Sequence, residues 1–150
     1  MIVAEHSIRS IVSQIPEVQI RDNLSLNPVF HWGDEKELNR FIELKKENSY
    51  PLIWLLPSRD EFEGSRFQHL IKECSFIVAT RETRTDLFND QRYIRSFDLV
   101  LNPLVEYLVK GLTSSNISEI QEQEYSLFKH PNYSADSDDN ATIDIWDAIE

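Results

Sequence analysis

Apolar side chains at Ile2, Val3, Ile8, Ile11, Val12 and Ile15 recur at helical spacing, and Pro16 stops the pattern. The spacing predicts a helix over residues 2–14. Val18-Gln-Ile20 then alternates like a short strand, with Arg21-Asp22-Asn23 as the turn behind it. Pro28-Val-Phe-His-Trp32 is a second short β segment. Gly33-Asp34 precedes residues 35–47, where Leu38, Phe41, Ile42 and Leu44 fall on one side and Lys45 and Lys46 come late. Asp34 is placed to cap the unpaired N–H groups of this helix, whose acidic start and basic end suit its dipole.

Tyr50-Pro-Leu-Ile-Trp-Leu-Leu-Pro57 is a continuous apolar run between two prolines. It is too short for an independent helix and reads as a strand buried on both faces. The polar stretch from Asp60 to Arg66 contains Gly64 and reads as a turn. Phe67 to Thr80 follows, β-rich at its end in Ser75-Phe-Ile-Val-Ala-Thr80. Residues 51–57 and 67–80 therefore form a hairpin, long enough to protrude beyond a core. Between Asn89 and Leu112, Tyr93, Ile94, Phe97, Leu99, Val100, Leu104, Val105, Leu108 and Val109 follow a helical pattern. Pro103 stands inside it and predicts a break or a fresh start near Asn102, and Gly111 marks its end. Tyr125-Ser-Leu-Phe128 is a candidate edge strand, and residues 141–150 alternate as a closing strand. Parallel βαβ alternation is not evident. The expected class is α+β, a mainly antiparallel sheet with a long β-hairpin and helices packed on one face.

Composition narrows this picture. A chain of 150 residues fits a single domain, residues 1–150, and 41 % hydrophobic with 27 % charged residues is the balance of a chain that buries a core. No apolar run approaches the ~20 residues that span a bilayer, and Glu5, His6 and Arg9 interrupt the first apolar segment where a signal peptide would be continuous. A soluble, cytoplasmically folded protein without membrane partners is expected. A lone cysteine, Cys74, excludes an internal disulfide and a multi-cysteine zinc site, and its apolar neighbours make it a small buried hydrophobe. The net charge is −11, of which −8 falls between Ser114 and Glu150, where nine acids face only Lys129. Such a surface repels phosphate backbones. Arg81, Arg84, Arg92 and Arg95 are a possible basic patch, largely neutralised by Glu82, Asp86, Asp90 and Asp98.

One segment imitates a metal loop. From Asp136, oxygen side chains stand at loop positions one, three, five, nine and twelve: Asp136, Asp138, Asn140, Asp144 and Asp147, with Ile143 as the apolar eighth residue. This is almost the twelve-residue calcium pattern. The departures weigh more. Position six is Ala141 where the loop turns through glycine, and position twelve is an aspartate, one methylene shorter than the bidentate glutamate. Phe128-Lys-His-Pro-Asn-Tyr133 ahead of it is no entering helix. A solvated Asp/Ser/Asn loop leading into a β-branched strand accounts for the same residues, so no metal and no cofactor is expected. Catalytic signals are equally thin. His6, His31, His69 and His130 are scattered, and neither a nucleophile elbow nor a phosphate-cradling glycine loop occurs. Glu61 with Glu63 is read as a solvated hairpin tip, and His31-Trp32 and Trp54 as core or interface aromatics. A non-enzymatic protein is expected.

The chain as a whole resembles the small tail-completion, tail-terminator and head–tail connector ring proteins of tailed bacteriophages. The residues that carry the resemblance are the N-terminal helix ending at Ile15-Pro16, Tyr50-Pro-Leu-Ile-Trp54, Phe76-Ile-Val-Ala79, the helix Leu99 to Leu112 with Pro103 inside it, His130-Pro-Asn-Tyr133, and Ile145-Trp-Asp-Ala-Ile149 as the last strand. The match is one of pattern and length over nearly the whole chain. It implies an α+β subunit of a homo-oligomeric ring of six or twelve copies, with portal, neck or tail proteins as neighbours. Double-stranded DNA would pass through without sequence recognition, in a virion assembled in the host cytoplasm. Residues 134–140 become a variable acidic loop. Exposed aromatics with arginines suit ring contacts, which points to Trp32, to Arg59, Glu61, Phe62 and Arg66 at the hairpin tip, and to Arg92. Two other classes compete: an acidic inhibitor that mimics DNA, and a divalent-cation (calcium) module built on Asp136–Asp147. Calorimetric titration with millimolar calcium is expected to give no saturable heat. A saturable isotherm abolished by Asp136→Asn with Asp138→Asn would assign a cation site to this loop.

Overall fold

The apolar run between Pro51 and Pro57 is an extended strand whose four residues, Leu52–Leu55, are 0–4 % exposed. Side chains alternate across a strand, so one with nothing exposed needs a cover on each face. The computed structural model describes residues 4–21, 24–43, 50–57, 59–63, 68–73, 75–81, 89–115, 126–130 and 146–149. In chain order the elements are α1 (Ala4–Ser13), β1 (Val18–Arg21), β2 (Leu24–Leu26), β3 (Val29–Trp32), α2 (Glu35–Glu43), β4 (Leu52–Leu55), β5 (Arg59–Glu63), β6 (Gln68–Glu73), β7 (Phe76–Arg81), α3 (Asn89–Arg92), α4 (Asn102–Ser114), β8 (Lys129–His130) and β9 (Trp146–Ile149). Between α3 and α4 the chain winds in wider, π-helical turns over Tyr93–Leu101. The class is α+β. Among the described residues no helix is long and apolar enough to cross a membrane.

The main sheet has the order β3-β4-β7-β9-β8. Three of its pairings are antiparallel, so it is mainly antiparallel as expected, but β3 and β4 run parallel from Val29↔Leu52 to Trp32↔Leu55. Parallel neighbours need a crossover, and α2 is that crossover. A βαβ unit is therefore present where none was evident. Ile53 and Leu55 face one cluster, with Phe30, Val78, Ile8 and Val12 of α1, and Phe97, Val100, Leu101, Leu104 and Leu108 of the long C-terminal helix. Leu52 and Trp54 face another, with Tyr50, Ile77, Ala79, and Leu38 and Phe41 of α2. Two helical elements thus share one face as anticipated, whereas α2 lies on the other. The physical reason is the apolar side chains at consecutive positions of β4 and β7, which leave two faces to bury.

The long hairpin is present in two stages. β4 pairs with β7 from Leu52↔Ala79 to Leu55↔Phe76, the Leu56 N–H donates to Ser75 O at 2.9 Å, and β5 and β6 continue the ribbon from Arg59↔Glu73 to Glu63↔Gln68. The polar stretch read as a turn from Asp60 is therefore mostly strand, and its partner is divided near Ser75. A two-stranded ribbon is held by backbone bonds between its strands, with its outer edges left to water, and needs no apolar stripe, so polarity misled the reading. Leu24–Leu26, likewise unforeseen, pairs antiparallel with β1.

The helices answer to local chemistry. Asp34 caps α2: its Oδ1 accepts from the Glu37 N–H at 2.9 Å, and its carbonyl accepts from the Leu38 N–H at 3.0 Å. The predicted end of this helix at Glu47 lies outside the described residues. Gly33, at φ +153°, makes the turn into it; the Gly33 N–H donates to Leu55 O at 3.1 Å, and a Cβ there would run into the Glu37 side chain. The α-helix makes a fresh start at Asn102 with Pro103 in its first turn, as the proline predicted, although the chain stays helical across the junction. Leu101 stays helical at φ −73° and ψ −45°, and Asn102, expected as a cap, donates instead to Asp98 Oδ1 at 3.3 Å. The wide turns deliver the chain to a new α start, where a proline lacks nothing, because first-turn N–H groups have no intrahelical acceptor. Gly111 does not end the helix, which runs to Ser114. Its role is close approach, since a Cβ at Gly111 would lie 2.5 Å from Ile11 Cγ2 of α1. At the C-terminal side, residues 126–128 are not strand, and the edge strand begins at Lys129. β9 realises the closing strand in its second half, residues 141–145 lying outside the described residues.

Gly111→Ala is expected to destabilise the protein by about 1 kcal/mol, because crowding against Ile11 (~1–3 kcal/mol) outweighs alanine's helical advantage (~1 kcal/mol). Urea denaturation of Gly111→Ala, Ile11→Ala and the double variant checks this. The double variant should be more stable than the two single losses summed.

Candidate functional site

β3 is an edge strand of the main sheet, and aromatic side chains gather around its C-terminal end. On the face shared with α1, Trp32 lies beside Phe30 with ring centroids 5.8 Å apart, and the His6 ring is 6.3 Å away. The Arg9 guanidinium carbon stands 4.7 Å from the centre of the Trp32 ring, within cation–π range. Trp32 nonetheless remains 38 % exposed. Helical spacing puts His6 and Arg9 on the side of α1 that looks toward this strand end, while Ile8 and Val12 enter the core.

The opposite face of the same strand is covered by an aromatic cluster that leaves His31 partly exposed. His31 packs against Phe41 at 4.5 Å and Trp54 at 6.1 Å, and Phe41 and Trp54 lie 5.6 Å apart. Trp54 Nε1 donates to Gly33 O at 2.9 Å, which ties the indole to the turn after β3. Burial lowers the pKa of His31 from the ordinary 6.5, and the positive charge of Arg9 lowers it further. This face is an aromatic cluster with a partly buried imidazole in it, tied to the turn after β3.

Two other exposed apolar groups lie elsewhere. On the long helix Ile94 and Leu99 are 58 and 61 % exposed, and Tyr107 is also exposed. Leu127 and Phe128 are exposed ahead of β8, while Lys129 Nζ stands 5.5 Å from the Tyr93 ring and 5.7 Å from Phe97, which stack on each other at 4.6 Å. The sequence held a signal for Ile94 and Leu99. The apolar positions of this helix are too many for one stripe, so some must face outward.

The residues proposed from sequence separate onto different elements. Trp32 is on the exposed edge. Arg59, Glu61 and Phe62 lie on β5, opposite Glu73, Leu70 and His69, so they belong to the ribbon's paired strands and not to its turn. Arg66 lies outside the described residues, and Arg92 is the last residue of α3. Of the calcium pattern, Asp147 sits in β9 opposite Thr80, and Asp136, Asp138, Asn140 and Asp144 lie outside the described residues. Among the described residues no three His, Cys, Asp or Glu side chains gather to hold a metal ion. No family model, curated relative or solved structure matches the chain.

A histidine whose folded pKa is depressed binds fewer protons folded than unfolded just below pH 6.5, so stability rises with pH across that interval and falls on acidification. An NMR titration should place the His31 midpoint below 6.5, with Arg9→Gln moving it upward. His31→Gln should remove this part of the acid sensitivity in denaturation experiments run from pH 7 downward.

Proposed function

We propose that this protein is a non-enzymatic structural subunit of a tailed-phage head–tail junction, a neck, connector or tail-terminator ring assembled from copies of itself around the DNA channel. The observation that carries the reading is the strand ribbon from Leu52 to Arg81. Its inner half, β4 with β7, lies in the main sheet, and its outer half, β5 with β6, is a separate two-stranded sheet. An arm of this kind pairs its inner backbone groups and leaves the N–H and C=O groups of its two outer edges for a neighbour. The α+β class and the exposed aromatic edge at Trp32 are consistent with a subunit whose work is packing.

Charge supports the same reading. At a net −11, with −8 beyond residue 113, the chain does not attract a polyanion, and a ring that threads DNA works best when the DNA does not adhere to it. Portal, neck or tail proteins would be its axial neighbours. The same acidity also suits an inhibitor that occupies a basic cleft, and assembly state separates the two. Light scattering on the purified chain should give six or twelve copies, and replacing residues 59–73 by a short turn should dissociate them. A chain that stays monomeric or dimeric at every concentration and binds a basic partner one to one would be the inhibitor instead.

A further inference from the structure

Burial over residues 93–101 does not follow the period that their sequence carries. Ile94, Phe97, Leu101, Leu104 and Leu108 are spaced alternately three and four apart, the single stripe that an α-helix turns toward a core. Phe97, Leu101, Leu104 and Leu108 are buried, yet Ile94 is 58 % exposed, and Ser96, which is not in the stripe, is 2 % exposed. The π-helical winding of Tyr93–Leu101 accounts for this exchange. Ser96 stands five residues before Leu101, and π turns, bonded from each residue to the fifth beyond it, bring that step round to one face. In α turns of about 3.6 residues the same step ends nearly on the opposite side. Ile94 behaves the other way. It stands seven residues before Leu101, close to two α turns, and the wider winding carries it out to solvent.

We propose that residues 93–101 are a conformational switch with two windings: the π form, and an α form in which Ile94 enters the core and Ser96 leaves it. The two forms make opposite gains. The π form buries Val100 and places a serine inside; the α form exchanges that serine for an isoleucine, moves Val100 to the margin of the stripe and restores the commoner i→i+4 bonds. Phe97 and Leu101, four apart, share a face in either winding and hold the segment on the sheet, where it packs against β1, β7 and β9. Leu99, two residues from Leu101, faces outward in both.

α4 does not follow the change, because Gly111 seats it closely on Ile11 of α1. The turn is passed instead to α3, which packs on the π-helical segment. Nine residues make about two and a half α turns but only about two π turns, so α3 rotates by about half a turn relative to α4. A contact made with this end of the helix then selects one winding by its differential affinity for the two.

The test is relaxation-dispersion NMR on the full chain, with urea denaturation for stability. Helix register shifts exchange on the μs–ms timescale. Wild-type signals from residues 93–101 and from α3 should therefore share one exchange process that is absent beyond Leu104. Ile94→Gln changes a side chain that is exposed in the π form and buried in the α form. It should lower the minor population by about tenfold or more and leave stability unchanged. Leu99→Gln should leave the exchange as in the wild type. Ser96→Asp should make the α form the major one, with nuclear Overhauser contacts from the Ile94 methyl groups to core residues. A wild type without exchange in this segment, exchange that Ile94→Gln leaves unchanged, or a folded Ser96→Asp chain that keeps Ile94 outside each overturns the proposal. Should Ser96→Asp fail to fold, the wild type and Ile94→Gln decide it.

Discussion

Burial of Leu52–Leu55 on two faces is the constraint from which the rest of the architecture follows. A strand with hydrophobic side chains pointing both ways gains ~1.5–3 kcal/mol for each one fully buried, and loses that gain on any face left open. Its backbone also needs partners on both edges, since unpaired N–H and C=O groups in such a place are costly. The fold meets these demands together. β3 and β7 take the two edges, α1 and the long helix take one face, and α2 with Tyr50 takes the other. The parallel pair belongs to this solution, because the crossover that connects β3 to β4 is the element that covers the second face.

This constraint also explains what could and could not be read in the sequence. Elements governed by their own residues were legible: α1 and its stop at Pro16, the Asp34 cap, the doubly buried strand between prolines, and the pairing of 52–55 with 76–79. The course of α2 over the second face was implied by the apolar run but not named by it, since a strand's burial says that a cover exists and not which helix supplies it. Arg59–Glu63 escaped because a paired ribbon needs no apolar periodicity, and Leu24–Leu26 because three residues are too short to show one. Pro103 marks a fresh α start as read, whereas Gly111, read as a helix end, lies inside the helix and allows the close approach of Ile11. Of the surface residues singled out from sequence, Trp32 is partly exposed, and the side chains of Arg59, Glu61, Phe62, Arg66 and Arg92 lie outside the described ones. Ile94 and Leu99 belong to the helical apolar pattern but lie exposed, because spacing alone does not tell which members of an overfull stripe lose the competition for the core.

The aromatic end of β3 shows how one short strand can be covered on one face and open on the other. His31 and Trp32 are adjacent in sequence and point to opposite faces. One is enclosed by Phe41 and Trp54, the other is left open beneath Arg9. The covered side anchors the strand end through the Trp54–Gly33 bond, so a partner of the open side in the proposed assembly would meet a ring already positioned. Preorganisation of this kind lowers the ordering cost of association. It also places an arginine where its charge is felt on both sides of the strand, as the lowered pKa of His31 records.

The order of strands in the main sheet has a consequence for how the chain acquires it. β8 touches the sheet through β9 alone, and β9 reaches it by pairing with β7, so that Ile149 finds Val78 across roughly half the sequence. Contacts so distant along the chain form late, since the intervening segment must first give up its freedom. The nucleus is then the β3-α2-β4 unit with β7, while the border at β8 and β9 is the last to close. Until that moment the edge of β7 stands open as a template for any extended segment, which makes the final docking step the point at which productive assembly and misassembly diverge.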